Sequence, residues 1–102
     1  MKKVEAIIQI ARAEAVIERL GMIGEHAVYL DEVRGFGRTR GHQLIHKGSP
    51  YEVEFVPKAR LIWYGDEHDA DAVVRAIQHA ARTGELGDGW IFVSELDGEL
   101  EL

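Results

Sequence analysis

The apolar residues of this chain switch back and forth between two spacings, and that succession constrains the fold more than any other feature. Val4, Ala6, Ile8 and Ile10 alternate, the signature of a strand over residues 3–10. Ala13, Val16, Ile17, Leu20 and Ile23 then fall at helical intervals, which predicts a helix that Gly24 terminates. Residues 26–36, rich in Val, Tyr and Leu, read as a second strand. A third runs from Tyr51 to Tyr64, with Tyr51, Val53 and Phe55 on one face, as are Leu61 and Trp63. Pro57 donates no backbone hydrogen bond and so marks a bend or an edge position. A second helix takes Asp66 or Asp69 as its N-cap and buries Ala70, Val73, Val74, Ile77, Ala80 and Ala81, with Gly84 as its C-cap. Residues 90–93 form the last strong strand, and Asp97-Gly98 is placed to turn a short terminal hairpin.

Strand, helix, strand, strand, helix, strand is the split βαβ order of an α+β, ferredoxin-like domain: one antiparallel sheet with both helices on one face. At 102 residues, the chain builds one such domain, 1–102. Leu61, Ile62, Trp63, Tyr64 and the Tyr29 strand supply more apolar and aromatic positions than one helix-covered face requires. The second sheet face is therefore expected to be covered by another subunit. No apolar run approaches the ~20 residues that cross a bilayer, and the N-terminus has no signal-peptide core. With no cysteine, a cytoplasmic protein without disulfides is expected.

The net charge is −6, but Arg34, Arg38, Arg40 and Lys47 stand together without a counter-charge, and no basic residue follows Arg82. This asymmetry excludes a broad nucleic-acid-binding face and favours either a local anion site or a loop that docks on a partner. Two glycine-rich segments could supply backbone amides to an anion: Gly35-Phe36-Gly37-Arg38 and residues 83–89, TGELGDG. Neither is a Walker loop or a dinucleotide fingerprint, and a plain turn also explains the second. His42 and His46 have i, i+4 spacing but lie among glycines, with no acid or cysteine near, so they are weak metal ligands. His79 reads as the solvent face of the second helix. Ser49 and Ser94 have no histidine or aspartate patterned around them, and no enzyme is expected.

The stretches MKKVEAII, EVRGFGRTRGH, GSPYEVEFVPK and ARTGELGDGWIFV, however, occupy the places they hold in the PII signalling family. The chain resembles that family over nearly its whole length, and two motifs, GFGR-x-x-GH and TG-x-x-GDG-x-IFV, carry the likeness. The resemblance implies a homotrimer with adenine nucleotide bound in clefts between subunits. It makes residues 37–55 the T-loop, a mobile arm that engages targets such as membrane transporters, and 82–90 the phosphate loop, followed by an acidic tail, 94–102. Gly35, Gly37, Arg38, Gly87, Asp88 and Gly89 match positions that hold nucleotide or its phosphates. Trp90 belongs to the same loop, Ile7, Ile62 and Tyr64 match positions near base or ribose, and Tyr29 joins the nucleotide set. Lys58 matches the lysine that contacts 2-oxoglutarate, with Arg38 and Thr39 beside it as the second-ligand set. Tyr51 matches a tyrosine uridylylated in some members.

This chain also departs from the pattern. Typical members carry glutamine where Thr39 stands and lysine where Trp90 stands. They are expected to continue past position 102 through a basic segment with two phosphate-binding arginines, where this sequence reads Glu99-Leu100-Glu101-Leu102. Fewer charge-assisted hydrogen bonds penalise the triphosphate most. The resemblance thus implies a sensor that favours ADP or AMP over MgATP and ignores 2-oxoglutarate, with bicarbonate as the leading small-anion ligand at Lys58 and Arg38. The alternatives are a nitrogen-regulatory protein acting on an ammonium transporter, a metal-tolerance relative using His42 and His46, and an oligomer without a ligand.

Overall fold

A computed structural model describes residues 1–24, 27–37 and 54–102 of the chain. Strand β1 (Lys2–Ile8) leads through a 3-10 turn (Ile10–Arg12) into helix α1 (Ala13–Leu20). Strands β2 (Val28–Gly37) and β3 (Glu54–Gly65) follow, then helix α2 (Glu67–Ala81) and strand β4 (Gly89–Glu95). The sheet is antiparallel in the order β2-β3-β1-β4. This is the ferredoxin-like architecture expected from the alternating spacings.

The register explains which face each side chain takes. Val4 lies opposite Trp63 and Val93, and Ala6 opposite Leu61 and Ile91. Val4, Ala6, Ile8, Ala59, Leu61 and Trp63 are all buried beneath the helices. From above, α1 contributes Ala13, Val16 and Leu20, and α2 contributes Ala70, Val73, Ala76, Ile77 and Ala81. The opposite face carries Lys3, Glu5 and Ile7 of β1, in register with Tyr64, Ile62 and Arg60 of β3. There Arg60 grips Asp31 in a two-pronged ion pair, Nε to Oδ1 at 2.9 Å and Nη2 to Oδ2 at 2.6 Å. That bond and the guanidinium charge hold the Asp31 carboxyl below its ordinary range and raise Arg60.

Several boundaries differ from the sequence reading. Strand β1 stops at Ile8, because β3 and β4 pair with it no further than Ala59 and Gly89. Ile10 therefore enters the 3-10 turn and is exposed, and Ile17 of the predicted stripe is exposed to a similar degree. Helix α1 ends at Leu20, before Gly24, which adopts φ +66° in the following turn. Asp66 is the N-cap of α2, without a side-chain bond to the helix. The C-cap is Arg82, and Gly84, at φ +87°, belongs to the next loop. Val74 and Ala80 are only partly buried, and Ala76 joins the buried stripe. Pro57 lies inside β3 opposite Arg34, beyond the reach of β1, and so occupies a local edge. Residues 96–102 form no hairpin strand; the Leu96 amide instead donates to the Met1 carbonyl at 3.0 Å.

Candidate functional site

Four separated segments meet at the end of the sheet where β2 and β3 outrun β1. Ile7 comes from β1, Gly35 and Phe36 from β2, and Val56 and Lys58 from β3. Glu85 to Trp90 arrive from the loop that joins α2 to β4 and from the first residues of that strand. Together they enclose an open cleft of about 470 Å³. Its walls are apolar at Ile7, Phe36, Val56, Leu86 and Trp90. Lys58 is the cation among the described lining residues, which also include the acids Glu85 and Asp88.

The loop is held on two sides. Lys58 Nζ donates to the Gly87 carbonyl at 2.6 Å. Asp88 turns its carboxylate into the loop: Oδ2 accepts the amides of Thr83 at 2.8 Å and Gly84 at 2.9 Å, and Oδ1 accepts the Thr83 hydroxyl. The Thr83 hydroxyl oxygen also accepts the Glu85 amide at 3.2 Å. The hydroxyl bond first, then the two amides and the Arg12 charge, hold the Asp88 carboxyl below the ordinary carboxylate range against partial desolvation.

Glycine serves this loop in two different ways. Gly87 has φ +87°, a conformation that side chains disfavour. Gly89 has φ +131°, and a Cβ there would overlap the Ile7 carbonyl oxygen, so it lets β4 begin tight against β1.

Of the predicted nucleotide residues, Ile7, Gly35, Gly87, Asp88, Gly89 and Trp90 line this one cleft, together with Lys58 from the second-ligand set. Gly37 ends β2, one residue beyond the lining residue Phe36. Tyr29, Ile62 and Tyr64 are not brought there. Tyr29 pairs with Ile62 across β2 and β3, and the Tyr29 and Tyr64 rings meet edge to face with centroids 6.1 Å apart. The two tyrosines border a different hollow, of about 740 Å³, with Met1, Ala27, Gly65, Asp66 and the tail residues Leu96, Gly98, Glu99 and Leu100. Within one chain the predicted set is thus split between two ends of the same sheet face. Arg38, Thr39, Tyr51, His42 and His46, and residues 38–53 of the predicted T-loop, lie outside the described residues. His79 is on the solvent face of α2, where its Nδ1 accepts a bond from Arg19 at 3.1 Å. Among the described residues no cluster of His, Asp or Glu is arranged to hold a metal ion, and no helix is long and apolar enough to cross a membrane.

Sequence reasoning missed Phe36, Val56, Glu85 and Leu86 as lining residues and Thr83 as the partner of Asp88. Phe36, Glu85 and Leu86 sit inside the two glycine segments and could have been found by reading the intervening positions as well as the glycines. Val56 could not, since only the pairing of β2 with β3 sets it opposite Gly35.

The family model for nitrogen regulatory protein P-II matches residues 1–98. The nitrogen regulatory protein P-II of Rhizobium meliloti (strain 1021) is 41% identical over 97 residues, spanning 95% of this chain and 87% of its own length. That of Pasteurella multocida (strain Pm70) is 39% identical over 97 residues, with the same coverage of 95% and 87%. That of Rhodospirillum rubrum is 37% identical over 102 residues, spanning 100% of this chain and 91% of its own length. A ferredoxin-like sheet, a glycine-lined cleft at its end and this extent of identity lead to one conclusion: the chain belongs to the nitrogen regulatory protein P-II family, a family of signalling regulators.

Proposed function

We propose that this protein is a P-II-type regulator that binds an adenine nucleotide in the cleft walled by Gly35, Gly87, Gly89, Lys58 and Trp90. One observation carries the reading: segments far apart in sequence converge there to combine glycine backbone, an ammonium group and apolar walls. That combination suits a ligand with a planar apolar part and a phosphate. The split of the predicted set supports a homotrimer. Tyr29, Ile62 and Tyr64 would then complete the cleft of a neighbouring subunit, which would also cover the exposed Tyr29 and Phe92 on the sheet face.

ADP and AMP are favoured over MgATP. Trp90 places an indole in the cleft wall where a cation would stabilise additional phosphate charge. Lys58, with Arg38 and Thr39, is the site for a small anion, bicarbonate before 2-oxoglutarate. The loop of residues 37–55 passes the bound state to a membrane transporter or another protein partner, keeping the regulator in the cytoplasm or at the membrane through that partner. No catalytic step is assigned to it. Titration calorimetry with ADP, AMP, MgATP, 2-oxoglutarate and bicarbonate at fixed pH and ionic strength tests the reading. The expected order is ADP or AMP ahead of MgATP, with no effect of 2-oxoglutarate. Tight MgATP binding that 2-oxoglutarate strengthens would overturn it.

The names of the relatives favour a second reading, nitrogen regulation through an ammonium transporter. Co-purification with an ammonium channel, released by 2-oxoglutarate, would select it over the first.

A further inference from the structure

An anion cleft that includes a carboxylate works against itself, because like charge beside a phosphate lowers affinity. Asp88 nevertheless stands between Gly87 and Gly89 in the cleft wall. Its two oxygens are already engaged by the Thr83 amide, the Thr83 hydroxyl and the Gly84 amide. The loop they close has little else to fix its shape. Residues 82–87 are exposed, and a Cβ on Gly84 would meet nothing within 4 Å. Hydrogen bonds rather than packing therefore set the path of the chain from Thr83 to Gly89, with Asp88 holding it at one side and Lys58 gripping Gly87 at the other.

We infer that Asp88 is a positioning residue for phosphate binding: its carboxylate shapes the 83–89 loop for the ligand and touches no ligand itself. The inference rests on the nucleotide reading above. It assigns Thr83 the same role, since the threonine hydroxyl is both a donor to Asp88 and the acceptor for Glu85. The sign of the effect separates this role from a plain charge effect. Removing a negative charge from beside a phosphate strengthens binding, whereas removing the device that shapes the loop weakens it.

The experiment is calorimetric titration of the full-length protein with ADP and with adenosine, for wild type, Asp88→Asn, Asp88→Ala, Thr83→Val and Thr83→Ser. Asp88→Asn and Asp88→Ala are expected to raise the ADP dissociation constant about tenfold or more, the scale of one or two lost charge-assisted bonds. Thr83→Val should weaken ADP several-fold, roughly half that effect on a logarithmic scale, and Thr83→Ser, which keeps the hydroxyl, should restore binding. Adenosine, without phosphate, should bind all five proteins alike. In the absence of ligand, amide exchange at Thr83 and Gly84 should accelerate in Asp88→Asn. Asp88→Asn binding ADP as tightly as wild type or more tightly overturns the inference, as does adenosine affinity falling in step with ADP. If the aspartate variants do not fold, Thr83→Val binding like Thr83→Ser overturns it equally. A wild type that binds neither ligand removes the nucleotide reading and this inference with it, a result distinct from failure of the inference alone.

Discussion

Two glycines of one loop allow a backbone penalty and a steric penalty to be measured separately. Gly84 and Gly89 both have positive φ, +87° and +131°, but their surroundings differ. A Cβ on Gly84 projects into open space, whereas one on Gly89 overlaps the Ile7 carbonyl and crowds the Ile8 Cα. Gly84→Ala should therefore cost only the conformational term, about 1–2 kcal/mol. Gly89→Ala adds an overlap with backbone that only parting β1 from β4 can relieve. That separation would disturb the pairs Ile8 with Gly89 and Ile7 with Trp90, an overpacking cost of roughly 1–3 kcal/mol more. The reduced freedom of the unfolded chain, about 0.4–1 kcal/mol in favour of alanine, is common to both variants and cancels in the difference. Urea denaturation followed by far-ultraviolet circular dichroism at one protomer concentration measures each loss, since association would otherwise shift the apparent stability. Equal losses in the two variants, or a greater loss at Gly84, would refute the claim that the start of β4 rests on direct backbone contact with Ile7.

Trp63, the largest of the fully buried side chains, should cost about 3–5 kcal/mol on truncation to alanine in the same urea assay. A loss under 1 kcal/mol would show that the core does not centre there. Lys58→Met, which keeps the length of the side chain and removes its bond to Gly87, should weaken ADP binding about tenfold in calorimetry; unchanged affinity would exclude Lys58 from the cleft chemistry. Hydrogen bonds from Arg60, Thr83 and Lys2 depress the folded-state values of Asp31, Asp88 and Glu95. Their stabilisation is present above the unfolded carboxylate values and is lost as pH falls through the lower folded ones. Thermal midpoints should therefore fall below about pH 4, and a midpoint constant from pH 6 to pH 2.5 would contradict this. Lys2 is shifted upward by its bond to Glu95, so the contribution it makes persists to its unfolded value of 10.5 and disappears above it. The same melts should decline on the alkaline side as pH rises past that point, and Lys2→Met should flatten that decline.

The fold was legible because its core follows simple spacing. Val4, Ala6 and Ile8, then Val16 and Leu20, then Val73 and Ile77 are buried as their intervals predict. The errors fall where local pattern depends on distant partners. Ile10 continues the alternation of β1, but no strand pairs with the chain beyond Ile8, so alternation there does not make a strand. Gly84 follows a helix, as caps do, yet its amide serves the Asp88 carboxylate inside the next loop. The candidate site was partly readable for the same reason. The glycines of 83–89 and the Gly35 segment are local signals, whereas their meeting with Ile7, Val56 and Lys58 is a product of the pairing of three strands. Tyr29 and Tyr64 show the opposite case: the family resemblance groups both with the cleft residues, and within one chain the register sets them toward the other end of the sheet.

The two tryptophans of the chain occupy contrasting places, Trp63 at 2% exposure in the core and Trp90 at 73% in the cleft wall. Their emission should accordingly separate into a blue component insensitive to added quencher and a red component open to it. A molecule seated against Trp90 would alter the second alone, while loosening of the interior would alter the first. Unlabelled protein thus carries its own pair of optical channels, one reporting occupancy and the other integrity, and a Trp90→Phe variant would silence only the former.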